Sequence, residues 1–135
     1  RPNVVVYNSI LNACAYTTGD LSEQQKAMAI ANLIFQELYR SPYDTPDEIS
    51  FGTFFQVVQN QIPPGKTRHD IVDLIFRKCV EDGQVGQLVL DQMKVAATSE
   101  QFEVLVGVDA DDAELLKLPQ EWRRNVTNRN RSRRQ

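Results

Sequence analysis

Apolar positions recur along this chain at the spacing of helices. Tyr7, Ile10, Leu11 and Cys14 fall at i, i+3, i+4 and i+7, and Phe51, Phe54, Phe55 and Val58 repeat that spacing 44 residues later. Each stripe predicts a helix with one buried face, so these aromatic residues are expected in the core. Leu33-Ile34-Phe35 recurs as Leu74-Ile75-Phe76, with Ala31 and Leu38 matched by Val72 and Cys79. A second helix is thus repeated as well, and self-similarity over such a period marks a helical-repeat architecture. A weaker third unit follows, with Val85, Leu88, Val89, Met93 and Ala96 on one stripe and Phe102, Leu105 and Val106 on another.

Boundary signals agree with two helices per unit. Thr45-Pro46-Asp47-Glu48 offers Thr45 as a capping hydroxyl, a proline at the first helical position and a glutamate three residues on. Asp20 with Glu23, and Thr67 with Asp70, offer further starts, and Gly83 a stop. The pattern predicts helices near 4–17, 21–40, 47–61, 67–81, 85–97 and 99–107. The expected fold is all-α, an α-solenoid of antiparallel helix pairs occupying residues 1–107. Residues 108–124 form a connecting segment that is acidic at 109–114, after which Leu118, Pro119 and Trp122 are expected to fold back over the last helix pair. Positions 125–135 are almost entirely Asn, Arg, Ser, Thr and Gln. Such a stretch buries too little apolar area to offset an ordering cost of about 1–2 kcal/mol per residue, and a disordered basic tail is expected.

Charge is segregated. Residues 1–120 hold 9 basic and 17 acidic side chains, whereas 121–135 hold six arginines against Glu121. An acidic body is no general phosphate-binding surface, so a nucleic-acid role has to rest on particular residues. The arginines reach from Arg123 to Arg134, a run that serves equally to track phosphates or to keep the chain soluble. No window approaches the roughly 20 unbroken apolar residues of a membrane helix, and Arg1-Pro2-Asn3 lacks the basic-then-apolar pattern of a signal peptide. The expectation is a non-secreted chain without a membrane partner. Cys14 and Cys79 sit inside apolar stripes and lack the spacing of a zinc site or a disulfide framework.

Candidate chemistry is sparse. Gly65-Lys66-Thr67 resembles the end of a phosphate-binding loop, but Asn60 stands where that loop needs a glycine. His69 is the only histidine, which excludes a histidine-dependent triad or a multi-histidine metal site within the chain. Asp109, Asp111, Asp112 and Glu114 lack the glycine and spacing of an EF-hand loop. No catalytic residue, metal, cofactor or small-molecule substrate is expected, and the chain is not expected to be an enzyme. Asn125-Val126-Thr127 and Asn130-Arg131-Ser132 match glycosylation acceptors, which matter only in a secreted protein.

The residues at the unit junctions carry a family resemblance. Pro2-Asn3-Val4-Val5-Val6-Tyr7-Asn8-Ser9-Ile10-Leu11-Asn12-Ala13 resembles the opening of a pentatricopeptide repeat, and Pro46-Asp47-Glu48-Ile49-Ser50-Phe51-Gly52-Thr53-Phe54 resembles the next. Ala31-Asn32-Leu33-Ile34-Phe35-Gln36-Glu37-Leu38 is similar to the second helix of that repeat, with Leu38 where a methionine is usual. The resemblance covers residues 2 to about 83, as two repeat-like units plus a degenerate third. Two departures stand out. The first unit runs 44 residues from Val4 to Asp47 where the family repeat is near 35, and the second carries extra residues around Ile62-Pro63-Pro64-Gly65. Longer loops change a solenoid's pitch without disturbing its core.

The resemblance implies single-stranded RNA binding in an organelle, mitochondrion or plastid, at one base per repeat and in the service of RNA processing, stability or translation. In the family the residue after the tyrosine reads the base edge, the last residue of the unit assists it, and an apolar residue three positions earlier helps sandwich the base. Carried over, these are Asn8, Asp47 and Val5, with Ile49 the matching apolar residue of the next unit; the Asn–Asp pair implies a preference for uracil. In the second unit the reader position is Gly52, which has no side chain. Asn3 would be the last residue of a preceding unit. Asn8 also reads as a polar residue near a helix start, and Asp47 as a first-turn acid favoured by the helix dipole. A different class of partner stays open: a peptide or protein on an acidic concave face, as in tetratricopeptide arrays.

Overall fold

The computed structural model describes residues 3–127 and is all-α over them. Helices α1 (Val4–Ala15), α2 (Leu21–Arg40), α3 (Glu48–Gln61), α4 (Lys66–Glu81), α5 (Gln87–Ala96) and α6 (Ser99–Val106) are followed by short 3-10 helices at Leu115–Lys117 and Gln120–Arg123. Side-chain oxygens start four of them: Asn3 accepts from Val6 N, Asp20 from Glu23 N, Asp47 from Ser50 N and Thr98 from Gln101 N. Each satisfies an amide that a helix start leaves without a partner.

Two helix starts differ from the sequence expectation. The cap of α3 is Asp47, not Thr45, because the extended backbone at Asp47 lets its carboxylate reach Ser50 N at 2.9 Å while the Ser50 hydroxyl accepts from Asp47 N at 3.0 Å. Helix α4 starts before Thr67, behind Gly65 (φ +153°), and Asp70 pairs with Lys66 Nζ at 2.7 Å instead of forming a cap. Gly83 does follow α4 as its stop, at φ +65°.

Helix α3 is central: it packs against α1 on one side and α5 on the other, and also meets α2 and α4. Its two flanks explain why Phe51, Phe54, Phe55, Val57 and Val58 are all buried, more than one face of a surface helix. Phe35 of α2 stacks edge-on or tilted against Phe51 and Phe54, with ring centroids 5.3 and 4.8 Å away. Most positions matched between α2 and α4 are matched in burial: Phe35 and Phe76 are buried, as are Ala31 with Val72 and Leu38 with Cys79, Leu33 and Leu74 are both exposed, and Ile34 is half-buried where Ile75 is buried. The match fails at the chain's first helix, where Tyr7 and Ile10 are half-buried and outside the core although Phe54 and Phe51 are inside it. Among the described residues α1 packs chiefly against α2 and α3.

After α6 the chain returns to the core, where Ala113 and Leu118 are buried, and Gln120–Arg123 packs against α4. Trp122 meets Phe76 edge-on at 5.8 Å and its carbonyl accepts from Val85 N at 2.8 Å, while Asn125 N donates to Gly83 O at 2.9 Å. The aromatic ring of Phe76 and the open backbone of the α4–α5 turn are its partners there. Beyond Thr127 the expected disordered tail, and with it the match at Asn130, lies outside the described residues.

Candidate functional site

Helices α1 and α3 lie side by side, and a shallow groove of about 340 Å³ opens between them, lined by Val5, Asn8, Ser9, Asn12, Ile49 and Thr53. Helical spacing puts Val5, Asn8, Ser9 and Asn12 on one face of α1, and Ile49 with Thr53 on the facing side of α3. Val5 (58% exposed) and Ile49 (41% exposed) form apolar walls, and Asn8 (9% exposed) forms a neutral polar floor.

The floor is a closed network. Asn8 Nδ2 donates to Asp47 Oδ1 at 3.1 Å, across 39 residues of sequence. Ser50 Oγ lies 2.6 Å from Asn8 Oδ1 and 3.0 Å from Asp47 Oδ1, and it accepts from Asp47 N. A hydroxyl has one proton, and it belongs on the shorter bond: turned to Asp47, it would leave two bare oxygens 2.6 Å apart. Asp47 also accepts from Ser50 N, so its carboxylate serves helix cap and floor together.

The structure thus joins Val5, Asn8 and Ile49 at one groove. Asp47 (8% exposed) stands behind Asn8, out of the lining, and Asn3 lies apart at the α1 cap, bonded to Val6 N at 3.1 Å. Neither plain alternative for Asn8 and Asp47 describes them fully, since a cap acid and a polar residue in the second turn are here one buried pair. Sequence reasoning missed Ser50, Asn12 and Thr53. For Ser50 there was a signal, the Asp-x-x-Ser spacing of a capping box at Asp47.

At the α3–α5 seam the corresponding space is filled. The residues matching Asn8 and Asp47 are Gly52 and, at the start of α5, Gly86. The side chain of Leu88 stands 2.6 Å from where a Cβ on Gly52 would lie, and the Glu48 carboxylate fills the corresponding space at Gly86. Two glycines let α3 and α5 approach closely, and their neighbours close the seam.

Other sites fit less well. A cleft of about 680 Å³ is lined by Tyr39, Asp44, Glu81 and Asp82 among others, with Arg124 at its edge. Tyr39 donates to Asp82 Oδ2 at 2.8 Å there, and burial together with that bond pushes its hydroxyl far above the usual tyrosine range. The carboxylates make it a poor phosphate site. Lys66 pairs with Asp70 on a helix that follows a proline-rich turn, not a strand, so the Gly65-Lys66-Thr67 run lacks the context of a phosphate loop. Among the described residues no His, Cys, Asp and Glu group is disposed to hold a metal. No family model, curated protein or solved structure matches the chain.

Proposed function

We propose that this chain is a pentatricopeptide-like segment of an α-solenoid, built of antiparallel helix pairs, that binds single-stranded RNA and has one open reading site. The observation that carries the reading is the Asn8–Asp47 bond beneath a groove walled by Val5 and Ile49. A flat, uncharged base edge-on to an amide and held between aliphatic side chains fits this chemistry, and uracil is the letter we assign. The role is non-enzymatic and, by the same resemblance, organellar; no helix among the described residues is long and apolar enough to cross a membrane.

A single site is weak. At about 1–3 kcal/mol per stacked base it falls short of the roughly 4 kcal/mol of a millimolar complex, so useful affinity needs neighbouring repeats. The second reading is a peptide scaffold, favoured by a mostly apolar groove of about 470 Å³ on another face, where Leu21, Met28, Ile62, Pro63, Pro64 and Ile71 gather. The test is a titration of the ¹⁵N-labelled chain with short single-stranded U, C, A and G oligonucleotides. RNA binding predicts fast-exchange shifts, still unsaturated at millimolar oligonucleotide, centred on Val5, Asn8 and Ile49 and largest for U; shifts elsewhere, or none at that concentration, would overturn it, and perturbation of the Met28–Ile71 groove by peptides would then favour the scaffold.

A further inference from the structure

Uracil and cytosine have the same size and shape but present inverted hydrogen-bonding edges: uracil an N3–H donor beside an O4 acceptor, cytosine an N3 acceptor beside an N4 amino donor. A primary amide free to turn by 180° complements either edge and discriminates neither. One held in a single orientation can choose. Asn8 lies at the floor of the α1–α3 seam, and both hydrogen-bond partners of its amide come from the start of α3.

We infer that Ser50 is the positioning residue that gives this site its specificity, by holding the Asn8 amide in one orientation. Ser50 is fully buried, and its hydroxyl donates to Asn8 Oδ1 at 2.6 Å while Asp47 Oδ1 accepts from Asn8 Nδ2 at 3.1 Å. The two partners are 3.0 Å apart, so they engage the oxygen and the nitrogen of the amide together, as a matched donor and acceptor. Turning the amide over would set its oxygen against the Asp47 carboxylate and would forfeit the bond that the Ser50 hydroxyl donates to Asn8 Oδ1. Asp47 alone fixes one corner and leaves the side chain free to swing away; Ser50 supplies the second point that defines the plane. One N–H and one lone pair of Asn8 stay available to a base. The inference rests on the RNA-binding reading of the same groove.

The experiment compares wild type, Ser50→Ala and Ser50→Thr as full chains, by titration of the Asn8 side-chain amide signal with short U and C oligonucleotides. Wild type is expected to prefer U by about tenfold, the scale of one net hydrogen bond. Ser50→Ala is expected to bring the two bases within about twofold while binding persists, and Ser50→Thr, which keeps the hydroxyl, to restore the preference. A mere helix-cap role would lower stability and leave the U:C ratio where it was. If Ser50→Ala does not fold, Ser50→Cys, with its weak donor, takes its place and is expected to lose the preference. An unchanged ratio in the hydroxyl-free variant overturns the role of Ser50 and leaves RNA binding standing. Absence of any Asn8 response in wild type overturns the RNA reading, and this inference with it.

Discussion

One guanidinium ties together the ends of two helices. Arg68 donates to Ala96 O at 2.9 Å and Val95 O at 3.0 Å, in the last turn of α5, and to Ile62 O at 3.2 Å just past α3. Carbonyls at helix ends lack intrahelical partners and carry the negative end of the dipole, so a half-buried fork of donors there is well placed. Arg68→Ala is expected to cost about 1–3 kcal/mol in urea unfolding, and Arg68→Lys to recover little, because an ammonium cannot reach all four acceptors, the three above and Gln59 O, in that geometry. Cys79 gives a pH-dependent counterpart. Burial first, then the nearby Asp82 and Glu48 charges, push its thiol well above the ordinary 9.0. The folded state thus keeps a proton that the unfolded chain releases above about pH 9, so this contribution is intact below that pH and declines as pH rises beyond it. The Tm of wild type should therefore fall more steeply above pH 9 than that of Cys79→Ala, whatever the offset between them; parallel curves would remove Cys79 from the account. At this scale the sequence was only half legible. Asn8 and Asp47 could be found because a resemblance named their positions, but their bond spans 39 residues, and no local spacing announces the four carbonyls that Arg68 reaches.

Between helices, the α1–α3 and α3–α5 seams are built in two ways. At the α1–α3 seam Asn60 Nδ2 donates to Ala15 O and Gln61 Nε2 to Cys14 O and Thr17 O, each at 2.8 Å, so amides at the end of α3 finish α1 while the groove stays open at the other end. At the α3–α5 seam Leu88 lies over Gly52. Ala is the better helix former by about 1 kcal/mol, yet Gly52→Ala is expected to destabilise, because overpacking a buried contact costs about 1–3 kcal/mol. Pairing it with Leu88→Ala should remove the clash, and a coupling energy of about 1 kcal/mol or more from a double-mutant cycle by chemical denaturation is the check. The apolar stripes made these helices legible, since burial on α3 needs only the spacing that Phe51, Phe54, Phe55 and Val58 display. What they could not show was whether Gly52 marks an empty position or a filled one. That depends on Leu88, 36 positions away, and on a second glycine that begins a helix.

Across the whole molecule, charge is unevenly distributed along the chain. The lining of the α1–α3 groove carries no charged side chain, whereas the arginines at 129–134 lie outside the described residues. If those arginines supply phosphate contacts, deleting residues 128–135 should flatten the salt dependence of RNA binding, by a slope of about 0.7 per lost contact, and leave the base preference alone. Titrations at two salt concentrations decide this; a changed preference would place the tail at the base. The all-α class and the helix order were readable because periodicity is a local property. The return of Trp122 to Phe76 was not, because an isolated aromatic in an irregular segment does not say which helix it will meet. One consequence of the Asn8–Asp47–Ser50 floor concerns redesign. The atoms that would read a base also weld α1 to the start of α3, so re-lettering this position means changing a fastening, and a new letter has to come with a new third residue that re-closes the ring.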